Sequence, residues 1–249
     1  MLILLPPSET KRAGGRSRSL EVRTLALPEL APAREAAIDA LVALSRDEDE
    51  AARVLKLSAR QRGEIADNAA LRTAPTMPAV DRYTGVLFDA LDAATLPAAA
   101  RRWLGAHVMI HSAPFGPVGA LDPIPAYRLA AGTALPGIPP LKRHWSDAVG
   151  AALHAASPSF VLDLRSEAYA ALGPVPAGIA SVYLRVVTAG EDGTVRALNH
   201  FNKHAKGSLV RDLAESRPRI SSVSALLRWA SGRGHEMRSN GAGEIELVV

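Results

Sequence analysis

The 249-residue chain carries 29 Lys and Arg against 25 Asp and Glu, a net charge of +4, and 48% of its residues are hydrophobic. That balance fits a folded globular protein and excludes wholesale disorder. The absence of cysteine excludes disulfides, thiolate metal sites, Cys-held iron–sulfur clusters and a cysteine nucleophile.

No apolar run approaches the roughly 18 residues of a membrane helix. MLILLPP is too short, and lacks the basic start, for a signal peptide. A cytoplasmic protein without a membrane partner is expected. Only five of the basic residues are lysine (Lys11, Lys56, Lys142, Lys203 and Lys206), in a chain otherwise biased to arginine. A lysine retained against that bias marks a place where a compact ammonium is wanted rather than a planar fork, or chance retention.

MLILL followed by Pro-Pro predicts a buried strand, and the basic, Gly/Ser-rich stretch 11–19 predicts a loop. Helices are expected over REAAIDALVALSR (34–46), over DEDEAARVLKLS (47–58) with an acidic first turn, and over SARQRGEIADNAAL (58–71) capped by Ser58. DRYTGVLFDALDA (81–93) reads as a turn leading into a helix, and LPAAARRWLG (96–105) as another helix. HVMIHSA (107–113) reads as a strand that empties into a long Pro/Gly-rich loop, 114–132. Helix 142–157, strand 159–164 and helix 165–172 follow. IASVYLRVVT is then a strand with VRALNHF as its hairpin partner, turning at Glu191-Asp192-Gly193. A basic helix over 200–216, a helix over 220–230 and a hairpin over 234–249 complete the chain. Interleaved strands and helices without a repeat predict one mixed α/β domain over 1–249, a central mixed sheet flanked by helices.

Several chemistries are weighed on spacing. His200 and His204 are one helical turn apart, but Phe201 stands where the helical zinc motif has its general base. The pair His107/His111 falls on a strand, and no metal or other cofactor is expected. No Walker loop is present, and GRGHEMRSNGAG sits between a helix and a strand, the wrong context for a dinucleotide fingerprint. Ser112, His111 and Asp122 suggest a triad only on paper, because Ser112 is not in a nucleophile elbow. What remains is a set of polar residues where strands end. Ser8, Glu9 and Lys11 follow the first strand; Ser112, Phe115 and Gly116 the second; Arg165, Ser166, Glu167 and Tyr169 the third. If those strands run parallel, the groups converge in the crevice where open α/β sheets bind ligands.

Seven segments, in order and nearly end to end, resemble the YaaA family of peroxide-stress proteins. They are LILLPPSETK (2–11), YTGVLFDAL (83–91), HSAPFGPVGALDPIPAYRLAAG (111–132), LKRHWSDAV (141–149), VLDLRSEAY (161–169), HFNKHAKGSLVRDL (200–213) and WASGRGHEM (229–237). Glu9 stands where many members have lysine, and Lys11 supplies that charge two positions on. The resemblance implies a compact mixed α/β fold with a basic cleft, and a role in limiting peroxide damage linked to low intracellular iron. It also implies DNA binding through a helix-hairpin-helix-like element. The YTG segment is the expected hairpin, with Arg82 and the backbone N–H groups of Thr84 and Gly85 facing phosphate without reading sequence. Lys11, Arg128, Arg165, Ser166, Lys203 and Lys206 are the further expected anion or DNA contacts. Arg211 joins Lys203 and Lys206 in the basic set, and 203, 206 and 210 share one helix face that His204 flanks. The partner is then double-stranded DNA or a nucleotide-like anion, with a monomer as the default.

The alternative is an enzyme acting on a nucleobase, nucleotide or similar anion. In that reading Glu9, Asp122 or Glu167 is the general base, Tyr127 or Tyr169 the proton donor, and Lys203 or Arg128 the anchor. Carboxylates inside a cleft favour it, since they repel a phosphate backbone.

Overall fold

The computed structural model describes residues 1–189, 195–196, 199–241 and 243–249. The chain opens with strand β1 (Leu2–Leu5), every residue of which is buried. Pro6 and Pro7 follow, and proline supplies no ladder donor. A helical layer comes next: α1 (Ala31–Leu44), α2 (Glu48–Val54) and α3 (Glu64–Ala69). Asp47 caps α2 by accepting the Glu50 N–H, and acids fill the first turn, where the helix dipole favours them. The single helix expected over 58–71 is instead a 3-10 turn, Ala59–Gln61, followed by α3, with Gly63 between them. Ser58 does cap that turn, reciprocally with Gln61.

A short strand β2 (Met77–Pro78) leads into two small helices, α4 (Ala79–Arg82) and α5 (Val86–Leu91), joined by Tyr83-Thr84-Gly85. Helix α6 (Ala98–His107) runs directly into β3 (Val108–Ser112). The stretch expected to be loop after β3 contains β4 (Gly116–Gly119), buried and antiparallel to β3, and β5 (Pro123–Ile124), which pairs with β2. Its prolines and glycines hide it in the sequence, but β4 is an edge strand, and an edge tolerates Pro117, which lacks a ladder donor.

Helix α7 (Leu141–Ala156) buries Trp145, whose indole N–H bonds to the Ala113 carbonyl at 2.9 Å. Then come β6 (Val161–Asp163), α8 (Glu167–Ala170), β7 (Ser181–Ala189) and β8 (Val195–Arg196), antiparallel to β7 as expected. The expected turn at Glu191-Asp192-Gly193 lies outside the described residues. Helices α9 (Asn199–Ser216) and α10 (Val223–Gly232) precede β9 (Met237–Ser239) and β10 (Glu244–Val248), the expected final hairpin.

The sheet order is β4-β3-β1-β6-β7-β10-β9, with β8 alongside β7. Strands β3, β1, β6, β7 and β10 all run parallel, flanked by antiparallel β4 and β9. Parallel strands covered by helices read as unbroken apolar runs, as LILL and VLD do here. The chain therefore folds as a mixed α/β sheet flanked by helices. From β1 it first crosses to β3 on one side and later to β6 on the other, so the strand order reverses at β1. Beyond the carboxyl end of such a strand a crevice opens between diverging connections.

Candidate functional site

The residues leaving β1 are held against the α4–α5 junction. Lys11 and Tyr83 form an isolated β-bridge, Arg12 N–H bonds to the Arg82 carbonyl at 2.8 Å, and Thr84 N–H bonds to the Thr10 carbonyl at 3.2 Å. This clamp fixes the Lys11 side chain. Its Nζ donates to the carbonyls of Ser8 (3.1 Å) and Glu9 (3.2 Å), both on its own loop. It lies 4.0 Å from the Tyr127 ring centroid and 5.6 Å from that of Tyr83, and the two tyrosine hydroxyls are 2.8 Å apart.

Arg128 is placed by Asn68, a fully buried amide on α3 that both accepts its N–H (2.7 Å) and donates to its carbonyl (2.9 Å). The guanidinium reaches Glu9 and Glu64, each at 3.4 Å. No carboxylate among the described residues comes within ion-pair distance of Lys11 Nζ. Burial, and then the Arg128 charge, push the Lys11 ammonium down to about 7 against the pull of Glu64, Glu9 and Asp67. Burial pushes the phenols of Tyr83, Tyr127 and Tyr169 up, so they stay protonated.

The ends of β3 and β6 form a second cluster. Arg165, wholly buried, binds Asp163 through Nε (2.9 Å) and Nη2 (2.7 Å), while Nη1 serves the Gly173 carbonyl and His111 Nδ1, each at 2.8 Å. Burial and then Arg165 hold His111 well below its ordinary value. A neutral ring accepting at Nδ1 carries its proton on Nε2, and that atom has no protein partner among the described residues. Lys206 on α9 is buried against the same strand ends, with Nζ 5.8 Å from the Tyr183 ring; burial pushes it down to about 8 against the pull of Asp163, with Arg185 lowering it further. Tyr183 donates its hydroxyl to the Arg165 carbonyl at 2.8 Å, and Arg185 joins Glu167 (3.1 Å) to Glu244 (2.8 Å).

The expected residues divide accordingly. Lys11, Tyr127, Tyr169, Arg128 and Glu9 gather beyond the carboxyl end of β1, where Arg128 and Glu9 act on the charge of Lys11 and Tyr127, Glu9 and Arg128 act on the Tyr169 phenol. Glu167 and Ser166 are exposed at the start of α8. Asp122 is drawn elsewhere: one carboxylate oxygen accepts the N–H groups of Ala26 (2.7 Å) and Gly119 (2.8 Å), so it organises the end of β4. Ser112 accepts the Phe115 N–H at 3.0 Å and His111 faces Arg165, so no Ser112–His111–Asp122 triad is assembled.

Arg82 is a correction. It is fully buried and its guanidinium donates to the carbonyls of Arg12, Pro75 and Ile124, so it braces the core instead of facing a solvent phosphate. The Thr84 N–H is taken by Thr10, and the Gly85 N–H by Asp89 Oδ1 at 3.2 Å.

On α9, Lys203 and His204 are exposed while Lys206 is buried, so the shared basic face is split between solvent and sheet. The side chain of His200 lies outside the described residues. His107 stacks on Trp103 at 4.3 Å, apart from the Arg165-bound His111. Arg211 latches α9 to the end of α5 through the carbonyls of Leu91 and Asp92, each at 3.0 Å. Asn68, Glu64 and Asp67 went unnoticed in the sequence, where GEIADNAAL reads as an ordinary amphipathic helix.

Residues 1–239 match the family model described as "Peroxide stress protein YaaA". The chain is similar to a UPF0246 protein of Corynebacterium efficiens, 46% identical over 245 residues and 96% of each chain. A UPF0246 protein of Corynebacterium glutamicum is 43% identical over 244 residues, again 96% of each chain. Another, from Streptomyces coelicolor, is 43% identical over 245 residues, 96% of this chain and 92% of its own. With its motifs in place around the β1 crevice and the match spanning nearly its whole length, the chain belongs to the YaaA family of peroxide stress proteins.

Proposed function

We propose that the chain binds DNA without reading its sequence and so limits oxidative, iron-dependent damage to it. One observation carries this reading. Directly after Lys11, the loop leaving the β1 crevice presents Arg12, Arg16 and Arg18, all exposed and without an ion-pair partner among the described residues. Guanidinium groups in that arrangement suit phosphate oxygens, and Lys203, exposed on α9, adds a further cation. Neutralising phosphates releases the cations condensed on the duplex. Ferrous ions held there would leave with them, which removes the metal from the place where peroxide turns it against DNA. The test is fluorescence anisotropy with a duplex of arbitrary sequence, titrated at several salt concentrations. Replacing Arg12, Arg16 and Arg18 by alanine together should flatten the salt slope by about 0.9 for each phosphate that is no longer neutralised. An unchanged slope and affinity would reject the reading.

A second reading, an enzyme acting on a nucleotide, nucleobase or similar anion, is favoured by the acids beside Lys11. Glu9, Glu64 and Asp67 all act on its charge, which suits acid–base chemistry better than it suits a bare phosphate backbone. A thermal-shift screen against nucleotides and nucleobases separates the two readings. Stabilisation by a small ligand, abolished by Glu64→Gln with folding intact, supports the enzyme.

A further inference from the structure

A buried lysine is ordinarily matched by a carboxylate, because an uncompensated ammonium is costly to desolvate. Lys11 is not matched. Of the three acids that act on its charge, Glu9 and Glu64 are bonded to Arg128 instead, and Asp67 makes no ion pair with it among the described residues. Its two hydrogen bonds go to main-chain carbonyls, and its third direction meets the Tyr127 ring. An amine that loses its third proton here keeps both carbonyl bonds through its two remaining hydrogens, and its lone pair then lies on the Tyr127 side, so attack on a carbonyl requires the side chain to turn away from the ring. Nothing comparable would be gained by a lysine that merely fills space.

Lys206 provides an internal contrast. It too lies away from any ion-pair partner among the described residues, but it is 6% exposed and closed in against Tyr183 and the strand ends. Lys11 keeps partial exposure and stands beside the exposed Arg12.

We propose that the Lys11 amine forms an imine with the aldehyde of a phosphate-bearing sugar, with the neighbouring cationic loop holding the phosphate. The substrate class deepens the DNA reading and rests on it, since DNA that has lost a base carries such an aldehyde in its ring-opened sugar; free aldose phosphates carry the same chemistry. The nitrogen lone pair attacks the carbonyl carbon, forming the C–N bond, and the carbonyl oxygen takes up a proton to give a carbinolamine. The second nitrogen proton and the hydroxyl then leave as water, so amine and aldehyde become imine and water with no oxidant or reductant. Glu9, exposed beside the loop, and solvent carry the protons. The lowered proton affinity of Lys11, set by burial and Arg128 and opposed by Glu64, Glu9 and Asp67, keeps a large share of the amine neutral near pH 7.

Borohydride trapping tests this. The full chain is incubated with cyanoborohydride and either a duplex containing one base-less site or glyceraldehyde 3-phosphate, and the adduct is located by peptide mass mapping. The expected result is a reduced adduct on Lys11 that forms at least about tenfold faster than on exposed lysines of ordinary pKa. Preference for the duplex identifies damaged DNA as the source, and preference for the sugar phosphate identifies a free metabolite. Lys11→Arg, folded by circular dichroism, should lose the adduct. No adduct from either compound, equal labelling of the exposed lysines, an adduct mapped to Lys206, or persistence in Lys11→Arg overturns the proposal. Anisotropy on the intact duplex in the same preparations keeps the two readings apart. Binding without trapping rejects only the imine, and absence of binding rejects the DNA reading itself.

Discussion

Arg128 takes up two of the acids that act on Lys11, its guanidinium 3.4 Å from both Glu9 and Glu64. The same contact that ties α3 to the loop after β1 keeps Glu9 and Glu64 from pairing with the lysine. Replacing Arg128 with methionine removes a repelling charge and frees two attracting ones. The Lys11 pKa should rise from about 7 toward its ordinary 10.5. Competitive acetylation followed by mass spectrometry across pH 6 to 11 reads that midpoint directly, and an unchanged midpoint would deny Arg128 its role.

Lys11 also makes stability depend on pH. Its folded value, about 7, lies below the unfolded 10.5, so between those limits the unfolded chain binds more protons and stability rises with pH. The penalty is fully present below pH 7 and gone near 10.5. Lys11→Met should therefore raise the melting temperature most at pH 6 to 7, the gain shrinking toward pH 10. Lys206, at about 8, acts in the same direction over a narrower window.

Gly207 lies mid-helix where α9 touches α5. A Cβ there would stand 2.1 Å from the Leu87 carbonyl oxygen. Gly207→Ala, ordinarily favourable within a helix, should here cost about 1–3 kcal/mol, because backbone must move. Urea denaturation gives the value.

Arg165 and Asp163 form a buried pair, and removing one partner strands the other. Arg165→Met should destabilise by about 3–5 kcal/mol. Arg82→Met should likewise lower stability, by leaving three carbonyls without their donor. DNA affinity per folded molecule should survive in the Arg82 variant, because that side chain does not face solvent; a selective loss of affinity at unchanged melting temperature would contradict its bracing role.

The sequence made the parallel strands legible because LILL, VMIHS and VLD are short, apolar and punctuated. From them follows the crevice, and Lys11, Glu9, Tyr127, Tyr169 and Arg128 were visible as polar residues near strand ends or within family motifs. Three things were hidden. Pro117 and its glycines masked β4, because an edge strand needs few donors. Arg82 looked like a surface cation, since carbonyl partners supplied by Pro75 and Ile124 leave no mark on composition. Asn68 sits in a helix whose periodicity looked ordinary, and its hold on Arg128 spans 60 residues. Local pattern announces the element; contacts across the chain decide which face of it matters.

Strand β1 sits between two neighbours that come much later in the chain, Ile3 opposite Val108 and Leu2 opposite Val161. During synthesis this apolar tetrapeptide leaves the ribosome with neither partner yet made. Closing loops of that length is entropically slow, so the nascent protein carries an unpaired adhesive strand for much of its elongation. The lysine loop beyond β1, by contrast, takes its contacts from residues 82–128, all of which emerge before the sixth strand.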